Sequence, residues 1–192
     1  MVKESKNIIG IDEAGRGPLA GPVVAAAVLD TSKKIKGIKD SKLLSEKKRE
    51  ELYFEIISNC KWGIGIVSPK RIDKINIREA TKEAMIKAVH NLEKKNKMKV
   101  HHLILDGNMG INIDISQESI IGADRKIYCV GAASIVAKVT RDRLMIKYDK
   151  LYPKYNFKKH KGYGTREHFK LINKYGGCEI HRKSFKPFDK DK

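Results

Sequence analysis

The sequence predicts an α/β fold, in which short strands and amphipathic helices alternate around one apolar core. Two observations predict it: apolar runs of the length that suits buried strands, and segments of helical spacing between those runs. The chain also shows no internal repeat, low-complexity tract or interdomain linker. At 192 residues it is long enough for one good core. We therefore expect residues 1–192 to form a single domain.

The first part of the chain predicts three strands and one helix. Residues 7–12 and 23–29 are apolar runs separated by a turn rich in Gly and Pro. Ser45 is a candidate N-cap for a helix over 46–58, because an acidic residue follows it in the first turn. Alternation of apolar residues over 61–67 then predicts the third strand.

The middle of the chain predicts a long helix and a fourth buried strand. Ser68-Pro69 is a typical helix start, because Pro is favoured at the first helical position. From Asn76 to about residue 95 the apolar residues keep helical spacing, with a face rich in Lys and Glu opposite. Residues 100–106 contain the apolar run at 103–105 and end at Asp106, which predicts a strand.

The last third of the chain predicts mainly helix. One or two short strands lead to Asp124, which precedes a strand-like segment in a Gly-Ala-Asp turn. Residues 130–151 predict a long helix with a small, apolar first half. Residues 152–165 are predicted to be a basic, aromatic loop, and Thr165 a cap for a short helix that ends near 175–177.

The charge of the chain predicts attraction to a polyanion. Lys and Arg outnumber Asp and Glu by 41 to 23, for a net charge of +18. Residues 147–192 carry 14 Lys and Arg against 5 Asp and Glu, which is +9 of that total. A compositional bias of the source would also make a chain rich in Lys, but it would not concentrate charge locally. We expect this basic segment to be integral to the domain and binding to weaken as salt rises.

The cysteines and the apolar runs bear on the cellular compartment. Cys60, Cys129 and Cys178 are odd in number and form no C-x-x-C pair, which disfavours a disulfide framework or a zinc knuckle. The run at 23–29 is too short to span a bilayer, which needs about 20 residues. We expect a cytoplasmic protein with no membrane partner.

Carboxylates at predicted strand ends are the candidate catalytic groups. Asp12 and Glu13 end the first strand, and Asp106 ends the fourth. If those strands are neighbours and parallel, their acids emerge at one edge of the sheet, where α/β proteins build sites. Because side chains alternate along a strand, Glu13 would share that site only if the chain bends at 13–14. Asp106 followed by Gly could otherwise be an ordinary hairpin turn.

Asp124 and Asp142 are alternatives for a further acid, and the spacing does not decide between them. Asp142 lies between two arginines in a predicted helix, where an ion pair is the more ordinary interpretation. Three or four carboxylates would seat two Mg²⁺ ions, which clamp the attacking and leaving oxygens of a phosphodiester. The pattern indicates a metal-dependent enzyme acting on a phosphodiester.

Two other motifs have competing interpretations. Residues 15–20 match G-x-G-x-x-A, but prolines and a strand follow instead of a helix, which excludes a dinucleotide site. No histidine pair has zinc-ligand spacing, so a phosphate-side or surface position is the simpler interpretation of His160, His168 and His181. Tyr163, in a basic loop flanked by glycines, would stack on a sugar or base, or else pack the loop down.

Motifs along nearly the whole chain resemble those of ribonuclease HII, the type 2 ribonuclease H family. In chain order they are GIDEAGRGPLAGP at 10–22, DSK at 40–42, NIREAT at 76–81, LDG at 105–107, GAD at 122–124, AASIVAK at 132–138, HKGYGT at 160–165 and HR at 181–182. The resemblance implies a ribonuclease H-like fold, with a mixed central β-sheet flanked by α-helices and a helical carboxy-terminal part. It also implies an endonuclease that cuts the RNA strand of RNA–DNA hybrids. In duplex DNA it would nick 5′ of an embedded ribonucleotide, leaving 3′-hydroxyl and 5′-phosphate ends.

The resemblance also implies roles for individual residues. The family's four metal-binding, catalytic acids fall on Asp12, Glu13, Asp106 and Asp124, which decides against Asp142; the ions would be Mg²⁺ or Mn²⁺, two with substrate. The positions that bind substrate are Gly15, Arg16 and Gly17, which read the 2′-hydroxyl, Lys42, which contacts the backbone, and Tyr163, which senses the substrate. We expect a monomer whose partners are RNA–DNA hybrid and duplex DNA containing ribonucleotides. The alternatives are a non-catalytic protein that binds hybrids, and another nuclease of the same fold.

Overall fold

A five-stranded mixed sheet forms the centre of the computed structural model, which describes residues 7–31, 34–38 and 44–188. The strand order is β3-β2-β1-β4-β5. Strand β1 is antiparallel to β2 and parallel to β4, and β5 is parallel to β4. The strands are β1 (Ile8–Ala14), β2 (Val23–Leu29), β3 (Trp62–Val67), β4 (His102–Asp106) and β5 (Ser116–Ile120). All four strands predicted individually are therefore present.

Helices cover both faces of this sheet. They are α1 (Glu46–Asn59), α2 (Pro69–Asn96), α3 (Ala123–Lys126), α4 (Tyr128–Leu151), α5 (Phe157–His160) and α6 (Arg166–Tyr175). Helix α2 packs on one face, chiefly against β3 and β2, and its buried side chains belong to the larger apolar cluster, to which β1 and β4 also contribute. Helices α1 and α4 cover the other face. No helix in the described part of the chain is long and apolar enough to cross a membrane.

Local sequence signals place three helix starts correctly. The side chains of Ser45, Ser68 and Thr165 each accept a hydrogen bond from the backbone N–H three residues further on. Such a bond satisfies one of the N–H groups that a helix start leaves without a partner. These caps confirm the predicted starts of α1, α2 and α6.

Helix α2 is interrupted at Asn76, a break that the apolar spacing did not predict. Asn76 has φ 62° and ψ 167°, outside the helical region. Its side-chain Oδ1 accepts from the N–H groups of Arg78 at 2.9 Å and Glu79 at 3.1 Å, and so caps the second segment. Just before the break, Asp73 accepts from the N–H of Ser184 at 2.9 Å. Asp73, in the first segment of α2, therefore anchors the carboxy-terminal segment.

Two predictions in the last third of the chain are wrong. The segment after Asp124 is helical and not strand-like, because α3 and α4 follow one another there. The predicted loop at 152–165 contains a 3-10 turn over Pro153–Tyr155 and the helix α5. Tyr155 and Phe157 are buried and stack with ring centroids 5.3 Å apart. Burying these rings folds the segment onto the protein.

The prediction that His160, His168 and His181 occupy a phosphate-side or surface position is also wrong, because all three are buried. His181 Nδ1 accepts from the Cys178 N–H at 2.9 Å, so its proton lies on Nε2. That proton points at His168 Nε2, 3.0 Å away, which leaves His168 Nδ1 to donate to the Tyr163 carbonyl at 2.9 Å. The hydrogen bonds are consistent with neutral imidazoles at His168 and His181.

This histidine cluster predicts a loss of stability in mild acid. Burial lowers the pKa of His168 and of His181 from 6.5 to about 4. Between those values the unfolded chain binds protons that the folded chain does not, so the stability contribution is complete above pH 6.5 and is lost as pH falls towards 4. We expect each of the two histidines to contribute a loss on the order of 2 kcal/mol between about pH 7 and pH 5.

Denaturant unfolding at those two pH values, on the wild type and His168→Gln, measures this contribution. The variant should lose less free energy of unfolding than the wild type on acidification. His90→Gln is the control, because the side chain of His90 is 62% exposed, and it should behave as the wild type does. Equal losses in the wild type and His168→Gln would contradict the prediction.

Candidate active site

A cleft of about 380 Å³ opens at the end of β1 and β4. Its lining brings together residues far apart in the sequence: Asp12, Glu13, Ala14, Gly15, Arg49, Asp106, Ser134, Lys138 and Tyr163. Both acidic and basic side chains are present, and Tyr163 supplies the aromatic ring. The cleft therefore contains the types of side chain that the predicted chemistry requires.

Two carboxylates reach this cleft because their strands are parallel neighbours. Ile11 in β1 is paired with Leu105 in β4, so the next residues, Asp12 and Asp106, lie side by side. The condition under which the two acids share one edge of the sheet is therefore met. Asp12 is only 5% exposed and is buried beneath the end of the sheet.

Asp124 joins them from the short helix α3. Gly122 precedes this helix with φ 70°, a left-handed conformation that suits glycine, and the chain reverses towards the cleft. The Asp124 N–H lies 3.5 Å from Asp106 Oδ1. Asp12, Asp106 and Asp124 each offer a carboxylate oxygen within 4.8 Å of the other two. The structure thus brings together three of the four predicted acids.

Glu13 lines the same cleft but stands outside this group of three. Strand β1 stays in register with β2 through Ala14, so the bend at 13–14 that would bring Glu13 into this group is absent, and the chain turns at Gly15, with φ 98°. Glu13 Oε1 accepts from Arg16 Nη1 at 3.3 Å. Glu13 Oε2 is buried and accepts no hydrogen bond from the described residues. This atom is left available to a further ligand in the cleft.

The electrostatics of the acids favour a positive charge beside them. Burial, and then the neighbouring charge of Glu13, raises the pKa of Asp12 to about 8. Burial also raises the pKa of Glu13, although Arg16 opposes the rise. Carboxylate oxygens are the ligands that Mg²⁺ and Mn²⁺ prefer. The donor set, with its available Glu13 oxygen, fits a hard divalent cation.

The turn Gly15-Arg16-Gly17 forms one lip of the cleft. Its two glycines differ in whether the fold has room for a side chain. A Cβ at Gly15 would lie 2.1 Å from Arg141 Nε, and the φ of 98° is itself unfavourable for other residues. A Cβ at Gly17 would meet nothing within 4 Å. The fold therefore requires glycine at 15 but leaves the backbone at 17 open to a ligand.

Tyr163 forms a second lip of the cleft. Tyr163 lies in the turn after α5 and is 43% exposed. The ring centroid is 5.9 Å from Lys138 Nζ and 5.8 Å from Arg141 Cζ. An exposed ring beside cations is suited to contact with a sugar or base.

Two other candidates have different outcomes. Lys42 lies outside the described residues. Asp142 forms an ion pair with Lys138, with Nζ and Oδ1 2.8 Å apart. This confirms that Asp142 takes part in an ion pair within the helix. It takes no part in the carboxylate group.

Sequence reasoning missed three residues that line the cleft. Ser134 and Lys138 lie one turn apart on α4, and a hydrogen bond from Ser134 opposes the rise in the pKa of Asp12. Their signal was available: they are polar residues at helical spacing in a run of otherwise small, apolar ones. Arg49 on α1 offered no such signal, because that helix is rich in charge.

Comparisons with known proteins agree with this geometry. The sequence model of the family described as ribonuclease HII matches residues 9–188. A ribonuclease HII of Francisella tularensis subsp. novicida (strain U112) is 52% identical over 182 residues, which are 94% of this chain and 96% of that protein. The similarity thus includes the cleft and every described element.

Solved structures extend the comparison to the fold. The ribonuclease H2 from Pyrococcus horikoshii OT3 has a TM-score of 0.78 and 27% identity, covering 95% of each chain. The structure of the PCNA:RNase HII complex from Archaeoglobus fulgidus contains a chain with a TM-score of 0.78 and 27% identity, covering 94% of this chain and 95% of that one. The predicted fold, a mixed sheet flanked by helices with a helical carboxy-terminal part, is confirmed.

Proposed function

Because the chain belongs to the ribonuclease HII family, it is an endonuclease that acts on RNA–DNA hybrids, and we propose that it nicks duplex DNA 5′ of a single embedded ribonucleotide. The proposal includes a requirement for Mg²⁺ or Mn²⁺ and products with 3′-hydroxyl and 5′-phosphate ends. One observation carries it: Asp12, Asp106 and Asp124 converge within 4.8 Å, and the first two of them line a cleft that also presents Tyr163.

The acids at the base of the cleft would hold the ions. Asp12, Asp106 and Asp124 would be ligands, and Glu13 would add its buried oxygen. Ions bound there would lower the pKa of the attacking water and stabilise charge on the scissile phosphate. The chain itself fixes the carboxylates on rigid strand ends, so that little reorganisation is needed when substrate binds.

The basic residues around the acids support binding of a phosphate backbone. Arg49 and Lys138 line the cleft, and Arg16, whose side chain is 47% exposed, lies on the glycine turn. The net charge of +18 adds long-range attraction to the same polyanion. Without bound ions, the four acids would repel a polyanionic substrate. Because metal ions would neutralise that charge, the arrangement favours a metal-dependent enzyme over a non-catalytic binder.

The lips of the cleft support selection of a ribonucleotide. The open backbone at Gly17 lets a strand approach closely enough for main-chain groups to contact a 2′-hydroxyl, the group that separates RNA from DNA. Tyr163 on the other lip would stack on the sugar of the same nucleotide.

A nicking assay tests the proposal directly. Duplex DNA with one internal ribonucleotide, labelled at the 5′ end, should yield a single product cut 5′ of the ribonucleotide when Mg²⁺ or Mn²⁺ is present. The same duplex without the ribonucleotide should stay intact, and EDTA should abolish cleavage. Tight binding without nicking, unaffected by EDTA, would instead support a hybrid-binding protein. Cleavage of a branched junction lacking RNA would support another nuclease of the same fold.

The open space at Gly17 gives a prediction that separates function from folding. Gly17→Ala should leave the free energy of unfolding within about 0.5 kcal/mol of the wild type, because the added methyl group meets no protein atom. It should slow cleavage at a single ribonucleotide by about tenfold, roughly 1.4 kcal/mol, because the methyl group occupies space that substrate would use. Denaturant unfolding and single-turnover rates check both parts. An unchanged rate would remove residue 17 from the substrate contact.

A further inference from the structure

Two arginines are completely buried behind the glycine turn. Arg141 on α4 and Arg182 in the carboxy-terminal segment both have 0% exposure. Neither takes part in any of the ion pairs between described residues, and the hydrogen bonds of their guanidinium groups there all go to backbone carbonyls. Burying a cation without a bonded carboxylate is costly. This pair therefore calls for an explanation beyond general stability.

Arg182 holds the turn by its carbonyls. Its Nη1 donates to the Arg16 carbonyl at 2.8 Å, its Nη2 to the Gly15 carbonyl at 2.5 Å and its Nε to the Gly21 carbonyl at 3.0 Å. The rigid, planar fork of arginine makes these bonds together, which the single ammonium of lysine cannot do. The carbonyls on either side of the open turn are thus fixed in direction.

The direction of those carbonyls decides what the turn shows to a ligand. In a trans peptide the C=O and the following N–H point in opposite directions. With the carbonyls of Gly15 and Arg16 directed at buried Arg182, the N–H groups of Arg16 and Gly17 are directed away from it. Consecutive N–H groups with a common direction form a site for an oxygen atom.

Arg141 connects the segment that follows this turn to the other lip of the cleft. Its Nε donates to the Pro22 carbonyl and its Nη2 to the Ala20 carbonyl, each at 3.0 Å. Its Nη1 donates to the Lys161 carbonyl, also at 3.0 Å, two residues before Tyr163. One side chain therefore fixes the spacing between residues 20–22, which Arg182 also bonds at Gly21, and the segment that carries the tyrosine.

We propose that Arg182 and Arg141 are positioning residues that determine selectivity for ribose, by holding the N–H groups of the glycine turn and the Tyr163 segment in register with the 2′-hydroxyl. The inference depends on the proposed function, since it assumes that this turn contacts the ribose. Their role is indirect, because neither guanidinium is exposed to substrate.

The test compares two substrates that differ at one atom. Single-turnover rates are measured on duplex DNA with one ribonucleotide and on the same duplex with a 2′-fluoro nucleotide, for the wild type and Arg182→Lys. The variant keeps the charge but loses the fork. We expect it to cleave at the ribonucleotide at least about tenfold more slowly than the wild type. The rate on the ribonucleotide divided by the rate on the 2′-fluoro nucleotide should fall by a similar factor. General damage to the protein would lower both rates and leave the ratio unchanged.

Arg143→Lys is the matched control. Arg143 lies on the same helix as Arg141 but is part-exposed and forms its ion pair with Glu50. Its rates and their ratio should equal those of the wild type. Circular dichroism and the thermal midpoint establish that each variant is folded.

Each outcome has a defined meaning. No nicking by the wild type would refute the proposed function itself. Nicking by the wild type, with an unchanged ratio in folded Arg182→Lys, would overturn only the inference about the arginines. If Arg182→Lys does not fold, the same ratio is measured on Arg141→Lys. Failure of both to fold would make the arginines structural residues and would also overturn the inference.

Discussion

Asp106→Asn is expected to lower the single-turnover rate on RNA–DNA hybrid by about three orders of magnitude. Asp106 is one of the three acids that converge within 4.8 Å, and it would be a ligand of the proposed ions. Losing one charged ligand would weaken stabilisation of the transition state by several kcal/mol, and each 1.36 kcal/mol corresponds to about a factor of ten. The amide keeps the shape of the side chain, and Asp106 is only partly buried, so the fold should be retained.

Rates with increasing Mn²⁺ separate a metal role from a structural one. If Asp106 is a ligand, the variant should need more metal than the wild type to reach its own maximum rate. Asp114→Asn is the control, because Asp114 is exposed and lies outside the cleft, and it should match the wild type. A rate near that of the wild type for Asp106→Asn would remove this residue from the proposed metal site.

The parts of the fold that could be predicted from the sequence depend on interactions within one helical turn or strand, or on the regular geometry of a sheet. Apolar runs placed the strands, and the caps at Ser45, Ser68 and Thr165 placed three helix starts, because each cap acts within one turn. The neighbouring positions of Asp12 and Asp106 followed from the rule that parallel strands end at one edge. These predictions needed no information about distant contacts.

The remainder depended on contacts between residues distant in sequence. Arg182 donates a hydrogen bond to the carbonyl of Gly15, which lies 167 residues earlier in the chain, and no local sequence pattern predicts this contact. The buried position of His168 depends on its packing against His160 and Phe157. Its neighbours in the sequence are hydrophilic, so the local sequence does not predict this burial. The place of Glu13 depended on where β1 ends, and strand ends are poorly defined by sequence. Tertiary packing decided each of these cases.

Gly10→Ala should lower the free energy of unfolding by about 3 kcal/mol. Gly10 lies in β1 where α4 crosses it, and a Cβ there would be 2.3 Å from the carbonyl carbon of Cys129 and from the nitrogen of Val130. Both are backbone atoms, so no side-chain rotation relieves the overlap and the helix must move away from the strand. In a chain of 192 residues this corresponds to a fall in the thermal midpoint of about 10 °C.

The same displacement should also reduce cleavage by the molecules that remain folded. Helix α4 carries Ser134, whose hydrogen bond reaches Asp12, so moving the helix disturbs the acid at the centre of the cleft. Thermal unfolding and single-turnover rates below the midpoint measure the two effects separately. Gly110→Ala is the control, because its Cβ would approach only a side-chain atom of Gln117, at 3.4 Å, and both quantities should match the wild type. A Gly10→Ala protein with an unchanged midpoint would show that α4 does not need this close approach to β1.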